Sequence, residues 1–398
     1  AKESLRVAHE KLQFIPTTDL QYDEDFKFNG RGSPHGSTLR IKDANQYTRR
    51  TGNAMSSQAQ AESTQTLTVA TLDGVDMDFT MQELIQSVDN DGAFDDLSKN
   101  YITPAISSLV SAIEADYIAF CTKATWNVAG TAGTALTDLT VPNAARAKLN
   151  QGLAPKDGQR YIQADSNTMG SMVNGLKGLF QDSAQIKEQY REGMMGRTAM
   201  ADWYENDRMW TLPNSADVVG AINAGTLTSG ITSLTVNGLT AAPVAGMVFT
   251  VSRSSGTAGL YSVHPETKQA FPNLQQFVCS AGCTTTNLVF TPAIIYDTTN
   301  PKQNVSGTPT TADDITFVGA LSTNYVQPIM YHKEAFQFVT AALPIMDDAH
   351  KCVVVKKDNL SLRAWMGSDI VNNTLRMRID ILYGMGALRP AWASRMIG

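Results

Sequence analysis

The strongest pattern in the sequence is an apolar stripe at helical spacing between residues 103 and 123. Thr103 is a favourable N-cap, and Pro104 suits the first helical position. The apolar members then recur every three or four positions, at Ile106, Leu109, Val110, Ile113, Tyr117 and Phe120. The spacing predicts a long helix that buries one face against the rest of the protein.

Two runs typical of β-strands, residues 37–48 and 64–80, are separated by fifteen small and polar residues. They predict a long hairpin with little core of its own. A two-stranded ribbon is marginally stable in water. We therefore expect these strands to pack on another part of the chain or on another copy of it.

Residues 215–320 differ sharply from the rest, since only eight of these 106 residues are charged and eighteen are threonine. Short Val, Ile and Phe runs of strand length end in turn residues at intervals of roughly eight to twelve positions. This pattern predicts an inserted all-β domain, either a small barrel or a sandwich.

Weaker patterns cover the remaining chain. Residues 4–16 have the spacing of a short amphipathic helix, and 142–210 mix helix with short strands. Helical or mixed character is expected at 331–342, followed by two late strands at 352–356 and 375–383.

Composition narrows the class of protein. With 32 basic and 38 acidic residues the net charge is -6, which excludes a polybasic nucleic-acid binder. The four scattered cysteines suit a reducing compartment, so synthesis in the cytoplasm is expected. The first thirty residues have no signal-peptide pattern, and no apolar run predicts a membrane span.

Motifs for phosphate binding, serine hydrolysis and zinc proteolysis are missing from the sequence, and no catalytic, cofactor or metal residue is predicted. Asp76 and Asp78 could act as paired carboxylates, but exposed strand-edge charge explains them as well. Cys279 and Cys283 lie where a β-turn is expected, and two free thiols are favoured there over a disulfide.

Several spaced segments together indicate a family. They are Gly36–Lys42 with Tyr47–Gly52, Leu67–Val75 with Asp78–Thr80, Tyr101–Ala105 with Ile113–Tyr117, Arg191–Arg197 with Trp203–Glu205, Val263–Gln269 with Leu274–Val278, and His332–Phe336 with Arg378–Gly384 and Leu388–Pro390. In this order they resemble the major capsid (coat) proteins of tailed phages. The resemblance is closest to the short-tailed-phage subgroup that carries an inserted β-barrel domain.

The resemblance implies an α+β fold of the tailed-phage and herpesvirus capsid type. It also implies a function: self-assembly into the icosahedral shell that encloses a double-stranded DNA phage genome, without enzymatic activity. The expected partners are other copies in hexamers and pentamers, scaffolding protein and portal during assembly, and packaged DNA bound non-specifically. No cofactor and no membrane are expected, and the location is the virion, after assembly in the host cytoplasm.

The family pattern divides the chain into five parts. They are an N-terminal arm at 1–29, an extended hairpin loop at 30–78, a peripheral domain with the spine helix at 79–130 and 355–398, an axial domain at 131–214 and 321–354, and the inserted β domain at 215–320.

Subunit contacts are expected where the hairpin carries charge. Its basic residues are Arg40, Lys42, Arg49 and Arg50, and the predicted partners on a neighbour are Asp89, Asp91, Asp95 and Asp96. Exposed single pairs contribute under about 1 kcal/mol each, so they would set register while apolar burial supplies affinity.

Two other functions remain open from the residues alone. The Thr-rich insert could be a β-rich adhesin or a glycan-binding module, although an insert within one domain more often stabilises or decorates that domain. The hypothesis that the protein is a hydrolase rests only on the abundance of Asp, His and Ser residues.

Overall fold

The computed structural model describes most of the chain, namely residues 6, 8, 11–21, 38–42, 45–55, 57, 64–80, 82, 101–176, 196–214, 219–223, 227–253, 259–320, 322–346, 351–357 and 360–398. Helices α1, α2 and α3 span Thr103–Ala124, Thr140–Gln151 and Ser166–Leu176. The strands follow in chain order: β1 Asp19–Gln21, β2 Thr38–Lys42, β3 Thr64–Thr68, β4 Thr71–Thr80, β5 Val128–Gly130, β6 Arg160–Ala164, β7 Arg197–Thr198, β8 Ala201–Glu205, β9 Thr211–Pro213, β10 Val219–Ile222, β11 Ile231–Asn237, β12 Val248–Ser252, β13 Tyr261–Val263, β14 Ala270–Leu274, β15 Gln276–Cys279, β16 Asn287–Ile294, β17 Val305–Ser306, β18 Asp314–Phe317, β19 Asn324–Val326, β20 Ile329–His332, β21 Phe336–Ala341, β22 Lys351–Lys357, β23 Leu360–Asp369, β24 Thr374–Ala387 and β25 Ala393–Ile397.

The first of two compact units combines residues 1–42, 64–117 and 336–388. Its sheet has the order β1-β21-β24-β23-β22, with β4 also paired to β24. β24 organises this sheet because residues 374–380 pair with β23, 374–383 with β4, and 382–387 with β21. β24 thus connects β4, β21 and β23 in one sheet.

Helix α1 confirms the strongest sequence pattern. Ile106, Leu109 and Ile113 are buried, and they line the same small apolar space as Ile379 and Ile381 of β24. By length and composition α1 could also cross a membrane, but half of its most apolar window is buried inside the protein. A buried core helix has the same composition.

Buried groups join the N-terminal segment to this core. Glu114 of α1 is fully buried, and its Oε1 accepts the backbone N–H groups of Gln13, at 2.8 Å, and Phe14. The ring of Phe14 meets Tyr117 edge to face, with ring centroids 5.2 Å apart, and Tyr117 contacts Phe338 at the same distance. The carboxylate and the aromatic rings therefore fix this segment on α1.

The predicted hairpin is shorter than the sequence suggests. Its paired part runs from Thr38↔Thr68 to Lys42↔Thr64. Residues 45–55 contain no strand, and after β3 the chain continues into β4, which joins the main sheet. The alternating pattern of 64–80 therefore combines two strands that have different partners.

The second unit combines residues 43–63, 118–335 and 389–398. Its mixed sheet has the order β5-β25-β20-β6-β8-β7. Side chains from α2, α3 and this sheet share one buried cluster, which includes Leu149, Met172, Ile162 and Met396.

Inside the second unit, β10-β11-β16-β15-β12-β18 close into a barrel. Its core holds Phe249, Phe277, Phe290 and Phe317, and the ring of Phe249 lies 5.5–5.7 Å from each of the other three. All six strands fall between residues 219 and 317. An α+β fold with an inserted all-β barrel is therefore confirmed.

The expectation of helical or mixed character at 331–342 is wrong, apart from a single 3-10 turn at Lys333–Ala335. This stretch forms the end of β20 and then β21, and every residue of both strands is buried. Both faces of these strands are buried, and buried polar residues such as Gln337 and Thr340 interrupt the apolar positions, so neither the regular alternation nor the continuous apolar run of a strand is present. The late strands at 352–356 and 375–383 are present as β22 and β24, whereas β23 and β25 are not predicted.

Candidate assembly surface and barrel seam

The predicted basic contacts lie on exposed positions. Arg40 and Lys42 are exposed on one face of β2, two residues apart, and Arg49 and Arg50 are exposed in the strand-free segment that follows. Arg50 Nη1 donates a hydrogen bond to the carbonyl oxygen of Ala54 at 2.5 Å. The predicted partners Asp89, Asp91, Asp95 and Asp96 lie outside the described residues, so the pairing stays a prediction.

A second set of charges runs along β4 and β24; it includes Asp76 and Asp78, which the sequence singles out, and two arginine partners that it does not. Asp76 lies opposite Arg378 and Asp78 opposite Arg376, with N···O distances of 3.6 and 3.4 Å. All four side chains are largely exposed. This cross-strand pairing accounts for Asp76 and Asp78 as structural charges and removes the reason to treat them as general acids or bases.

The ladder continues into the sheet at Asp380, which is fully buried. Asp380 receives hydrogen bonds from Arg363 Nη2 at 2.6 Å and from Arg378 Nε at 2.5 Å. The hydrogen bond between Arg378 and Asp380, together with the negative charge of Asp380, raises the pKa of Arg378. One buried carboxylate thus fixes two guanidinium groups, one inside the sheet and one on its surface.

The turn between β23 and β24 exposes two aliphatic side chains. Ile370 is 97% exposed and Val371 is 85% exposed. Asp369 stabilises the turn by accepting the Val371 N–H at 2.9 Å and the Asn372 side-chain amide at 2.8 Å, and these hydrogen bonds lower its pKa. We call Ile370 and Val371 the sheet tip; a well-formed turn that presents two aliphatic residues to solvent is suited to contact another protein surface.

A polar network joins the barrel to the mixed sheet within the second unit. The side-chain amide of Gln276, on β15 of the barrel, accepts the Val128 N–H at 2.8 Å and donates to the Val128 carbonyl at 3.0 Å. Because β5 is the last strand of its sheet, this amide takes the place of a further strand at the edge. Lys148 Nζ donates to the same Val128 carbonyl and to Gln276 Oε1, and burial lowers the pKa of Lys148 to about 8.

Arg395, fully buried on β25, makes the second polar link. Its guanidinium donates to the carbonyl of Thr125, just after α1, and to the carbonyl of Gly246, just before β12 of the barrel, at 2.5–2.8 Å. Burial lowers the pKa of Arg395, although a guanidinium keeps its proton at neutral pH. The carbonyl end of a helix carries partial negative charge, which favours a cation at this position.

Apolar contacts complete the connection, which we call the barrel seam and define by Gln276, Lys148, Arg395 and one buried apolar cluster. Its members come from β5, the barrel, β19 and β25: Val128, Val248, Val278, Tyr325 and Ile397. The barrel is therefore attached to its own unit through one buried and two half-buried polar side chains and through buried apolar surface.

Sequence reasoning misses the sheet tip and the seam for different reasons. The tip has a local signal, since Ile370 and Val371 lie between Asp369 and two asparagines that favour a turn. The seam has none, because Gln276, Lys148 and Arg395 are far apart in the chain and become partners only in the folded protein.

Comparison with known proteins gave one family match. Residues 215–398, the barrel and everything after it, match the model of the P22 coat protein family, gene protein 5. A search of the curated proteins found no match.

Solved structures similar to this chain include one from Mycobacterium phage Che8, with 12% identity, a TM-score of 0.45, and 96% of this chain and 97% of that chain covered. The capsid structure of cyanophage P-SCSP1u has 10% identity and a TM-score of 0.44, with 96% and 86% covered. A virus-like particle from Pyrococcus furiosus has 6% identity and a TM-score of 0.41, with 99% and 96% covered.

Proposed function

We propose that this chain, a tailed-phage major capsid protein that forms the virion shell with copies of itself, makes lateral contacts through the sheet tip and uses its barrel as an internal brace. The family match over residues 215–398 confirms the predicted resemblance to phage coat proteins and a role as a major capsid protein that forms the shell, and it gives no support to the adhesin alternative. The observation that carries the proposal about contacts is the well-formed turn that exposes Ile370 and Val371.

Site-specific photo-crosslinking tests the contact made by the tip. With a photoreactive residue at position 371, illumination of assembled particles should join neighbouring subunits into covalent dimers, and illumination of free subunits should not. The same residue at Val219, an exposed valine on the barrel, is the matched control. Equal dimer yields from 371 in particles and in free subunits, or from 371 and 219 in particles, would contradict the contact.

The hairpin contacts belong to the same proposal. Arg40, Lys42, Arg49 and Arg50 would pair with acidic groups on a neighbouring copy, for which 89–96 is the candidate segment. Reversing the charge of Arg49 and Arg50 together should reduce particle yield and leave the subunit folded. Unchanged yield with both charges reversed would rule out this role.

Other parts of the proposal concern the assembly process. Scaffolding protein and portal would act as partners in the host cytoplasm, and the shell would enclose double-stranded DNA without gripping it, as suits a net charge of -6. The subunit would have no catalytic activity. The division into an N-terminal arm, an extended hairpin loop, a peripheral domain, an axial domain and an inserted β domain remains the proposed domain organisation.

A further inference from the structure

The strands β4, β24, β23 and β22 form a run with two open edges. Within the part of the chain that the structure describes, β4 pairs only with β24, and β22 pairs only with β23. The outer backbone N–H and C=O groups of an edge strand are a template for a further strand. Each edge of this run is therefore suited to receive a strand of another chain.

The two edges carry opposite charges. Asp76 and Asp78 are exposed on β4, whereas Lys351 and Lys356 are exposed on β22. Opposite charges on paired strands attract each other, and like charges directly opposite each other are destabilising. The acidic edge of one copy therefore favours the basic edge of another copy over a second acidic edge.

Strand directions agree with such a contact. All three pairings within the run are antiparallel, so β4 and β22 run in opposite directions. When a second copy lies beside the first in the same orientation, its β4 is antiparallel to the β22 of the first copy. The contact then continues the antiparallel order of the sheet and keeps equivalent faces on the same side.

The cross-strand register shows which side chains share a face. Asp76 lies opposite Arg378, and Arg378 lies opposite Trp365. Cys352 is the β22 partner of Trp365 and lies on the same face. Lys356 comes four residues later on the same strand and shares that face as well. Asp76 and Lys356 of two copies can therefore lie directly opposite each other.

Asp76 is available for a second cation. Its partner Arg378 has Nε 3.6 Å from Asp76 but only 2.5 Å from Asp380, so Asp380 holds this guanidinium more closely. The Asp76 side chain is 76% exposed. An ammonium group from a neighbouring copy can approach it without breaking a close ion pair.

We propose that β22 of one copy pairs antiparallel with β4 of the next copy, with Lys356 opposite Asp76, so that one sheet continues through neighbouring subunits. In this register Val354 lies opposite Asp78, and Cys352 lies opposite Thr80. The inference rests on the proposed function and names the surface of the second copy that meets this edge. Two different surfaces meet, so the contact is heterologous, and such contacts close into rings such as pentamers and hexamers.

Disulfide cross-linking from the natural Cys352 tests this pairing. Cysteine is introduced on β4 by Asp76→Cys, Met77→Cys, Asp78→Cys or Thr80→Cys, one position at a time. Within one chain β24 and β23 separate Cys352 from β4 by about 14 Å, which is too far for a disulfide. After mild oxidation of particles, Thr80→Cys should give the highest yield of linked subunits. Met77→Cys, on the opposite face, should give no more than the natural protein.

The sizes of the linked products identify the type of contact. Each Thr80→Cys subunit carries both cysteines and meets two neighbours, so bands above the dimer are expected on a non-reducing gel. They should vanish when Cys352→Ser is added and should be weak for free subunits. Products no larger than dimers, or equal yields from positions 77 and 80, would overturn the pairing.

Failure of the pairing differs from failure of the shell function. Normal particles without linkage from positions 76, 78 and 80 would exclude the pairing and leave the shell function intact. A natural protein that forms no particles with a scaffolding partner would contradict the shell function itself.

Charge exchange provides a second test that needs no introduced cysteine. Asp76→Lys and Lys356→Asp should each lower particle yield, and the two changes together should recover much of the loss because opposite charges face each other again. A double variant that assembles no better than the weaker single variant would contradict the register.

Discussion

The barrel and the sheet built on β24 use polar side chains in opposite ways. In the barrel, each of the six strands is paired on both sides, and aromatic rings fill the interior. Its polar attachments, at Gln276 and Gly246, point into its own unit. In the sheet, a buried carboxylate supports a ladder of exposed charges, and the strands end in an exposed aliphatic turn.

Because of this difference, one subunit can use separate regions for folding and for assembly. A closed barrel offers no unpaired strand edge to a neighbour, so its natural use is to stabilise the body it is attached to. An open sheet with fixed charges and an exposed tip offers groups that a neighbouring chain can bury. Variants in the sheet tip should therefore affect particles, and variants in the seam should affect the subunit.

The largest effect is expected at the sheet tip. Ile370→Asp combined with Val371→Asp should lower particle yield by more than about tenfold, because burying an unpaired carboxylate in an interface costs well over 1.4 kcal/mol, which is roughly one factor of ten. Sedimentation and negative-stain microscopy of protein expressed with a scaffolding partner would measure the yield. Val219→Asp is the control, and a normal particle yield from the double variant would show that the tip is not buried between subunits.

Within the sheet, buried and exposed carboxylates should differ in their effect on stability. Asp380→Asn leaves Arg363 and Arg378 without their shared charge and should lower the unfolding free energy by about 3–5 kcal/mol. Asp76→Asn, on the exposed ladder, should lower it by under about 1 kcal/mol. Urea unfolding of the free subunit measures both, and equal losses would contradict the role assigned to Asp380.

In the seam, Arg395→Met should destabilise the free subunit by about 2 kcal/mol, because two buried carbonyl groups lose their donors. Arg253→Met is the matched control on the barrel, since the half-buried Arg253 makes only a long ion pair with Asp313, at 3.8 Å; the cost of this change should stay below about 1 kcal/mol. If Arg395→Met and the natural protein unfold at the same urea concentration, the seam does not stabilise the subunit.

A smaller, pH-dependent effect is expected at Lys148. Its pKa is about 8 in the folded protein and 10.5 when unfolded, so the unfolded chain binds more protons between these values and stability rises with pH there. Lys148→Met lacks this term. Between pH 7 and pH 10 the unfolding free energy of the natural protein should therefore rise by roughly 1 kcal/mol relative to that of Lys148→Met. This value is reduced for the partial solvent exposure of Lys148. A difference that does not change with pH would contradict the burial of this ammonium.

The sequence predicts those parts of the fold in which local pattern and tertiary environment agree. Helix α1 has one buried face, so its periodicity survives, and the barrel has turn residues at regular intervals. The pattern does not predict β20 and β21, because both strands are buried on every side. It also does not predict the buried position of Arg395, because charged residues are normally expected at the surface. Gln276 and Lys148 could not be found, since their role exists only where distant strands meet.

We expect the sheet tip to meet neighbouring copies and the barrel seam to act within one subunit. Hydrogen exchange followed by mass spectrometry, on free subunits and on assembled particles, separates these two roles. We expect peptides covering 366–376 to become strongly protected on assembly, and peptides covering 274–279 and 393–397 to be equally protected in both states. Protection gained in the seam peptides, with none gained at the tip, would contradict the claim.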